Sequence, residues 1–93
     1  MTTASICNKK GLHARAAAKL VKTAVGFDAH VTVTRLPYHG HAEASAGATS
    51  ILSLLMLAAE IGTQVTVTAV GTQAEDAVRA IVALIERRFD EDE

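Results

Sequence analysis

Residues 64–70, with the sequence QVTVTAV, are the segment that decides the fold. Val65, Val67 and Ala69 alternate with threonines, so a β-strand places the apolar side chains on one face and the hydroxyls on the other. This alternation is typical of an antiparallel sheet that packs one face against a core and leaves the other in water. The segment therefore predicts a half-buried sheet that helices from the rest of the chain must cover.

Three apolar segments supply those helices. Residues 14–25 are rich in alanine, carry leucine and valine at helical spacing and are followed by Gly26, a common helix stop. Residues 51–59 form an apolar run behind a Thr-Ser pair that suits a helix N-cap. After the turn at residues 71–72, one helical face is traced by Ala74, Ala77, Val78, Ile81, Leu84, Ile85 and Phe89. We expect the acidic end, residues 89–93, to fray.

Shorter segments complete the sheet. Residues 2–7 and 31–34 contain small and β-branched residues that favour strands. Residues 41–45 predict a short returning strand after a turn at residues 36–40, which contain proline and glycine. The element order is then β-α-β-β-α-β-α. We conclude that residues 1–93 form a single α+β domain of two layers.

The composition excludes several classes of protein. The 93 residues carry a formal net charge of −1 and 3 % aromatic residues, which argues against a nucleic-acid binder held by a basic field or by base stacking. Cys7 is the single cysteine, so no internal disulfide can form. His39 and His41 lie in a loop without a cysteine beside them, and we expect neither a metal nor a cofactor. Since the sequence shows no signal peptide and no membrane-spanning run, we expect a cytoplasmic protein with no direct membrane insertion.

His13 lies where the first helix should begin, after a polar turn that ends in Gly11. Helices usually begin with Ser, Thr, Asp or Asn, so helix propensity does not explain His13 or Leu12 at this position. A helix start offers free N–H groups, which the ring can cap through a nitrogen lone pair. The same groups suit a phosphoryl group on the neutral ring, and the guanidinium of Arg15 can reach its oxygens. The alternative is an exposed, inert histidine beside an exposed arginine.

The motif GLHAR, residues 11–15, followed by alanines, resembles the phosphohistidine signature of the HPr family. These proteins are the small phosphocarriers of the bacterial phosphoenolpyruvate-dependent phosphotransferase system. Further resemblances follow in order along the chain, at residues 26–27, which close the first helix, at residues 49–57 and at residues 62–63. Together with the final helix, they cover nearly the whole chain.

The resemblance implies both a fold and an activity. The family fold is an open-faced β-sandwich, a four-stranded antiparallel sheet with three helices on one face. His13 would receive a phosphoryl group on Nδ1 from phosphorylated Enzyme I and pass it to a histidine of an Enzyme IIA protein, with Arg15 assisting at the phosphate, in sugar transport or its regulation. A phosphocarrier of this kind is not a stand-alone catalyst.

The second helix carries two further expectations. By resemblance, Ser50 aligns with the serine that a bifunctional HPr kinase/phosphorylase modifies in some bacteria, while its simple structural role is to cap the helix. The helix is apolar nearly all round, and a domain this small cannot bury every side, so part of the helix should be an exposed docking site. The resemblance places that docking surface beside His13 and forms it from Ile51, Leu52, Leu55 and Met56.

The chain departs from the family pattern at two places. Ala16 replaces the proline that often follows the arginine, which preserves the helix but changes its first turn. Residues 35–47 are longer than the family pattern, so we assign no site residue there. Two other functions stay open. One is a regulatory binding module of the same fold, in which phosphorylation of His13 or Ser50 controls a partner protein rather than sugar uptake. The other is a small structural domain with an inert His13.

Overall fold

The structure, a computed structural model, describes residues 1–91. These residues form four β-strands and three α-helices in the predicted order, β-α-β-β-α-β-α. The strands are β1 (Thr2–Ser5), β2 (His30–Arg35), β3 (Ala44–Gly47) and β4 (Gln64–Val70). The helices are α1 (Ala14–Ala24), α2 (Ile51–Leu55) and α3 (Ala74–Glu86), and a short left-handed turn at Arg88–Asp90 follows α3.

The strands form one antiparallel sheet in the order β1-β4-β2-β3, so the segment that decides the fold lies in its interior. On the covered face, Val67 of β4 is fully buried. On the open face, a row of hydroxyls crosses all four strands through the pairs Thr3–Thr66, Thr66–Thr34 and Thr34–Ser45. The alternating valines and threonines predict this separation of an apolar face from a hydroxyl face.

The helices cover the apolar face of the sheet. Helix α3 lies against β1, β2 and β4, and α1 packs against both α2 and α3. The largest fully buried apolar side chains are Ile6, Leu20, Val33, Leu54, Val65, Val67, Ile81, Ile85 and Phe89. The predicted α+β fold, an open-faced β-sandwich, is therefore confirmed. None of the helices in residues 1–91 is long and apolar enough to cross a membrane.

Helix α2 is shorter than the apolar run at residues 51–59 predicts. It ends at Leu55, and soon afterwards the chain turns through Ala58, whose φ of 52° is left-handed. The turn brings the carbonyl oxygen of Ala59 to the N–H of Leu12, at a distance of 2.8 Å. The hydrophobic pattern continues past the turn because the following residues are still packed in the core, so the pattern alone could not locate the helix end.

The segment from residue 36 to residue 43 also differs from the prediction. His39 and Gly40 both have positive φ, 47° and 83°, and form the tip of a tight hairpin. Two-residue tips of this kind match the twist of paired strands. The strand predicted at residues 41–45 therefore begins later, at Ala44.

Residues 87–91 fold back onto α1, so the predicted fraying is wrong for the part of residues 89–93 that the structure describes. Phe89 is fully buried, and its carbonyl oxygen accepts a hydrogen bond from Nζ of Lys19 at 2.6 Å. Burying this large side chain favours an ordered end over a frayed one. We call residues 87–91 the C-terminal segment; residues 92–93, also predicted to fray, lie outside the described part.

Candidate functional site

His13 is the N-cap residue of α1 and has an extended backbone, with φ −81° and ψ −178°. Its carbonyl oxygen accepts a helical hydrogen bond from the N–H of Ala17 at 2.8 Å. The N–H groups of residues 14–16 belong to the first turn, where a helix has no acceptors of its own. They give this end of the helix a partial positive charge that suits an anion.

Gly11 fixes the loop that leads to His13. Its φ is +65°, and a Cβ at this position would lie 2.6 Å from the carbonyl oxygen of Ala59 and 2.8 Å from Cα of Glu60. The N–H of Leu12 donates a hydrogen bond to that same oxygen at 2.8 Å. The loop therefore lies directly against the chain that leaves α2, and both its conformation and this close approach require glycine.

The ring of His13 contacts the C-terminal segment. Nε2 of His13 is hydrogen-bonded to Oε2 of Glu91, and the two side chains are 25 % and 13 % exposed, respectively. The other carboxylate oxygen, Oε1, accepts a hydrogen bond from Nδ2 of Asn8 at 2.9 Å. Asn8 is fully buried, and its Nδ2 also donates to the carbonyl oxygen of Gly11 at 2.8 Å. Asn8, Glu91 and His13 thus form a continuous hydrogen-bonded chain.

The surroundings of Glu91 keep its carboxyl group ionised. Burial raises the pKa of Glu91, but hydrogen bonds from Asn8 and His13, together with electrostatic attraction by His13 and Lys10, more than offset burial, so the pKa lies below its ordinary value. An ionised carboxylate only accepts hydrogen bonds, so the proton in this contact belongs to Nε2 of His13. When the ring carries a single proton, Nδ1 therefore has the free lone pair.

The expected side-chain cap on α1 is wrong. Within residues 1–91, the ring of His13 makes no N-cap hydrogen bond to the first turn, and it bonds to Glu91 instead. Glu91 is the site residue that sequence reasoning missed. The available signal was Phe89, an apolar residue that continues the buried face of α3 and anchors the terminus two positions before Glu91.

Arg15 lies on the exposed side of the first turn of α1. Its guanidinium group forms no ion pair with a carboxylate in the part of the chain that the structure describes. It is therefore available to an incoming anion near His13. Ala16, which takes the place of the family's proline, is fully buried and so contributes to the packing of α1 as well as to its helicity.

The start of α2 combines a capping serine with an exposed apolar surface. Oγ of Ser50 accepts a hydrogen bond from the backbone N–H three residues later at 3.1 Å, so the capping role is confirmed. The exposed apolar side chains are Ile51, Leu52 and Met56, at 41 %, 69 % and 76 % exposure. Leu55 is half-buried and packs against the core. The expected exposed surface is therefore present, with Leu55 at its margin.

His39 and His41 lie in the hairpin between β2 and β3. His39 stacks on Tyr38 at the hairpin tip, with ring centroids 4.0 Å apart. Among the described residues, no group of three or more His, Cys, Asp and Glu side chains is placed to hold a metal ion.

Comparisons with known proteins agree on one family. Residues 1–87 match the family model described as the PTS HPr component phosphorylation site. A phosphocarrier protein NPr of Shewanella violacea is 45 % identical, over 94 % of this chain and 89 % of its own length. A phosphocarrier protein HPr of Pseudomonas aeruginosa is 44 % identical, over 96 % and 93 %. The crystal structure of HPr-C-His from Thermoanaerobacter tengcongensis matches with a TM-score of 0.83 at 36 % identity, over 99 % of this chain and 97 % of that one.

Proposed function

The chain belongs to the HPr family of phosphotransferase-system (PTS) phosphocarriers, and from this premise we propose that His13 carries the phosphoryl group. Phosphorylated Enzyme I would be the donor, and a histidine of an Enzyme IIA protein the acceptor. The relatives are named phosphocarriers rather than catalysts, and this chain is likewise a carrier and not an enzyme. The observation that supports His13 best is its position as the N-cap of α1 with Nε2 already hydrogen-bonded, which leaves Nδ1 as the nucleophile.

The transfer can be written as two displacements. In the first, the Nδ1 lone pair of His13 forms a bond to phosphorus while the bond between phosphorus and the donor breaks. In the second, the acceptor attacks phosphorus and the electron pair of the P–N bond returns to Nδ1. The first-turn N–H groups of α1 and the guanidinium of Arg15 neutralise charge on the phosphoryl oxygens in both steps.

We assign partner binding to the docking patch, defined as Ile51, Leu52, Leu55 and Met56. Three of these four side chains are exposed, and clustered apolar groups on a small protein are typical of a binding site. The hydrogen bond from Leu12 to Ala59 ties the loop before His13 to the chain that leaves α2. A partner that covers the docking patch would therefore meet the phosphorylation site in a fixed position.

A second candidate function is regulatory. The relatives bear two names, NPr and HPr, at nearly equal identity, so their names do not favour sugar uptake over another use of the phosphate. In this alternative, phosphorylation of His13, or of Ser50 by an HPr kinase/phosphorylase, would control the binding of a partner protein. The phosphorylation chemistry at His13 is the same in both cases, and the two functions differ in what binds the carrier afterwards.

Phosphorylation with phosphoenolpyruvate and Enzyme I tests the role of His13. We expect one acid-labile, base-stable phosphoryl group per chain, detected by intact-protein mass spectrometry. The His13→Ala variant should gain none, while the His30→Ala and His41→Ala controls should gain as much as the wild type. A full phosphate on His13→Ala would reject the assignment.

A charge next to the docking patch tests its role in partner binding. Asp is a good N-cap residue, so Ser50→Asp should keep α2 folded. Its negative charge must lose water when a partner docks, so we expect binding to Enzyme I to weaken by about 1 kcal/mol, roughly fivefold. Calorimetric titration measures the affinity, with Ser50→Ala as the uncharged control. Equal affinities for Ser50→Asp and Ser50→Ala would place the docking surface elsewhere.

A further inference from the structure

We infer that Glu91 is a positioning residue for phosphoryl transfer, because its carboxylate holds the Nε2–H of His13 and keeps Nδ1 free to attack phosphorus. The inference rests on the proposed role of His13 as the phosphoryl carrier. It gives a function to the C-terminal segment, which lies outside the GLHAR motif and enters the site only through the fold.

The carboxylate of Glu91 is held at both oxygens. Oε2 accepts the hydrogen bond from His13, and Oε1 accepts one from Asn8, whose amide is buried and also bonded to the carbonyl oxygen of Gly11. A carboxylate that is fixed on its far side can orient an imidazole and select its tautomer, as carboxylates do behind many reactive histidines. Asn8 connects the loop before α1 to Glu91, so the nucleophile and the group that orients it share one support.

The backbone of the C-terminal segment is held in an unfavourable conformation to present Glu91. Arg88, Phe89 and Asp90 have φ of 61°, 54° and 62°, in the left-handed region that residues with a Cβ rarely adopt in succession. Burial of Phe89 and the hydrogen bond from Lys19 to its carbonyl oxygen hold this turn. Strained backbone that the surroundings maintain is a recurrent feature of functional sites.

The contact suits both directions of transfer. When Nδ1 of His13 binds phosphorus, the ring keeps its proton on Nε2 and becomes positively charged, and the negative charge of Glu91 balances it. When the P–Nδ1 bond breaks, its electron pair returns to Nδ1 and the ring leaves as a neutral imidazole with the same proton on Nε2. No proton enters or leaves the ring in either step, and the carboxylate prevents the loss of Nε2–H that would make the ring a poor leaving group.

The Glu91→Gln variant tests the inference, because glutamine keeps the shape but can either accept from Nε2–H or donate to a bare Nε2. We expect the ¹⁵N NMR spectrum of the His13 ring to show one dominant tautomer, protonated at Nε2, in the wild type and a mixture in Glu91→Gln. We expect the rate of phosphorylation by Enzyme I to fall about tenfold, the factor expected when one charge-assisted interaction is lost.

The matched control is Asp90→Asn, which removes the neighbouring carboxylate. Asp90 is exposed and pairs with Arg87 rather than with His13, so its loss should leave the tautomer unchanged and the rate within about twofold. A merely structural C-terminal segment would instead give similar effects for both variants and no change of tautomer, which would overturn the inference.

Other outcomes separate this inference from the proposed function. If Glu91→Gln transfers as fast as the wild type or faster, Glu91 does not position the ring, while His13 remains the carrier. If His13 in the wild type is protonated mainly on Nδ1, the inference fails without reference to any variant. If the wild type gains no phosphate on His13, the proposed function fails first, and the tautomer measurement still decides whether Glu91 orients the ring.

Discussion

Helices α1 and α2 begin with N-cap residues that are used in opposite ways. At α2, the hydroxyl of Ser50 accepts a hydrogen bond from the first turn, so the helix satisfies one of its own donors. At α1, the ring of His13 makes no such bond within the described chain and contacts Glu91 instead. The helix without a side-chain cap keeps its N–H groups available to an anion. A helix start whose N-cap side chain is bonded elsewhere, as His13 is to Glu91, is a candidate binding site.

The uncapped start of α1 needs other supports, and the structure shows two. The backbone of the preceding loop is fixed by Gly11 and by the hydrogen bond from Leu12 to Ala59. The ring is fixed by the C-terminal segment through Glu91. The first support is made by main-chain atoms and the second by side chains, so they should respond differently to mutation and to pH.

The largest effect should come from Gly11→Ala, which breaks the main-chain support. The new Cβ would clash with the backbone of Ala59 and Glu60, and the residue would be held at positive φ. We therefore expect the unfolding free energy, measured in urea, to fall by about 2–5 kcal/mol. Gly40→Ala is the control, because Gly40 also has positive φ but has open space around it. This substitution should lower the unfolding free energy by about 1–2 kcal/mol. Equal losses would mean that the contact with the chain leaving α2 is unimportant.

Arg15→Ala should have the next largest effect, on transfer rather than on stability. If the exposed guanidinium neutralises the phosphoryl oxygens at the uncapped helix start, its removal should slow transfer by about ten- to hundredfold, or roughly 1.5–3 kcal/mol. Rapid-quench kinetics with Enzyme I measures the rate, and Lys22→Ala removes an exposed positive charge farther along α1 as the control. Unchanged kinetics for Arg15→Ala, with an intact circular dichroism spectrum, would remove Arg15 from the site.

The sheet and the helices could be predicted from the sequence because alternation and helical periodicity report directly on which side chains are buried. The apolar and threonine faces of β4 follow from this rule, and so does the face of α3 that includes Ile81. The end of α2 could not be placed, because burial of Leu57 continues the apolar pattern past the last helical residue. A turn that is fixed by a tertiary contact leaves no mark in the hydrophobic periodicity of the sequence.

The site was predictable only in part, for a similar reason. His13 and Arg15 lie two residues apart in the sequence, and their position at the start of an alanine-rich helix identifies them as candidates. Glu91 is 78 residues from His13 in sequence. It reaches the ring only because Phe89 is buried in a left-handed turn that no local propensity favours. The sequence therefore identifies His13, the proposed nucleophile, but not the carboxylate that contacts it.

The two helix caps can be compared by matched substitutions of smaller effect. Ser50→Ala should destabilise the domain by about 0.5–2 kcal/mol, because it removes the bond to the first turn of α2. His13→Asn and His13→Ala both lose the contact with Glu91, so the difference between them isolates the cap of α1. His13→Asn should be more stable by about 0.5–2 kcal/mol, although neither variant carries phosphate. Thermal melts measure both effects, and equal stabilities of the two His13 variants would mean that α1 cannot use a side-chain cap.

The smallest effect should be the pH dependence of the stability that ionised Glu91 contributes to the fold. The pKa of this carboxyl lies below its ordinary value of 4.5 in the folded protein, so ionised Glu91 stabilises the fold fully above that value. The stabilisation is lost as the pH falls from about 4.5 through the lowered folded pKa, because protonation removes the charge that holds His13 and Asn8. Wild type and Glu91→Gln should therefore differ in unfolding free energy at neutral pH and converge in acid. Other carboxyl groups titrate in both proteins, so their contributions cancel in the difference of unfolding free energies. If that difference between wild type and Glu91→Gln stays constant down to pH about 2, the charge of Glu91 does not hold the C-terminal segment.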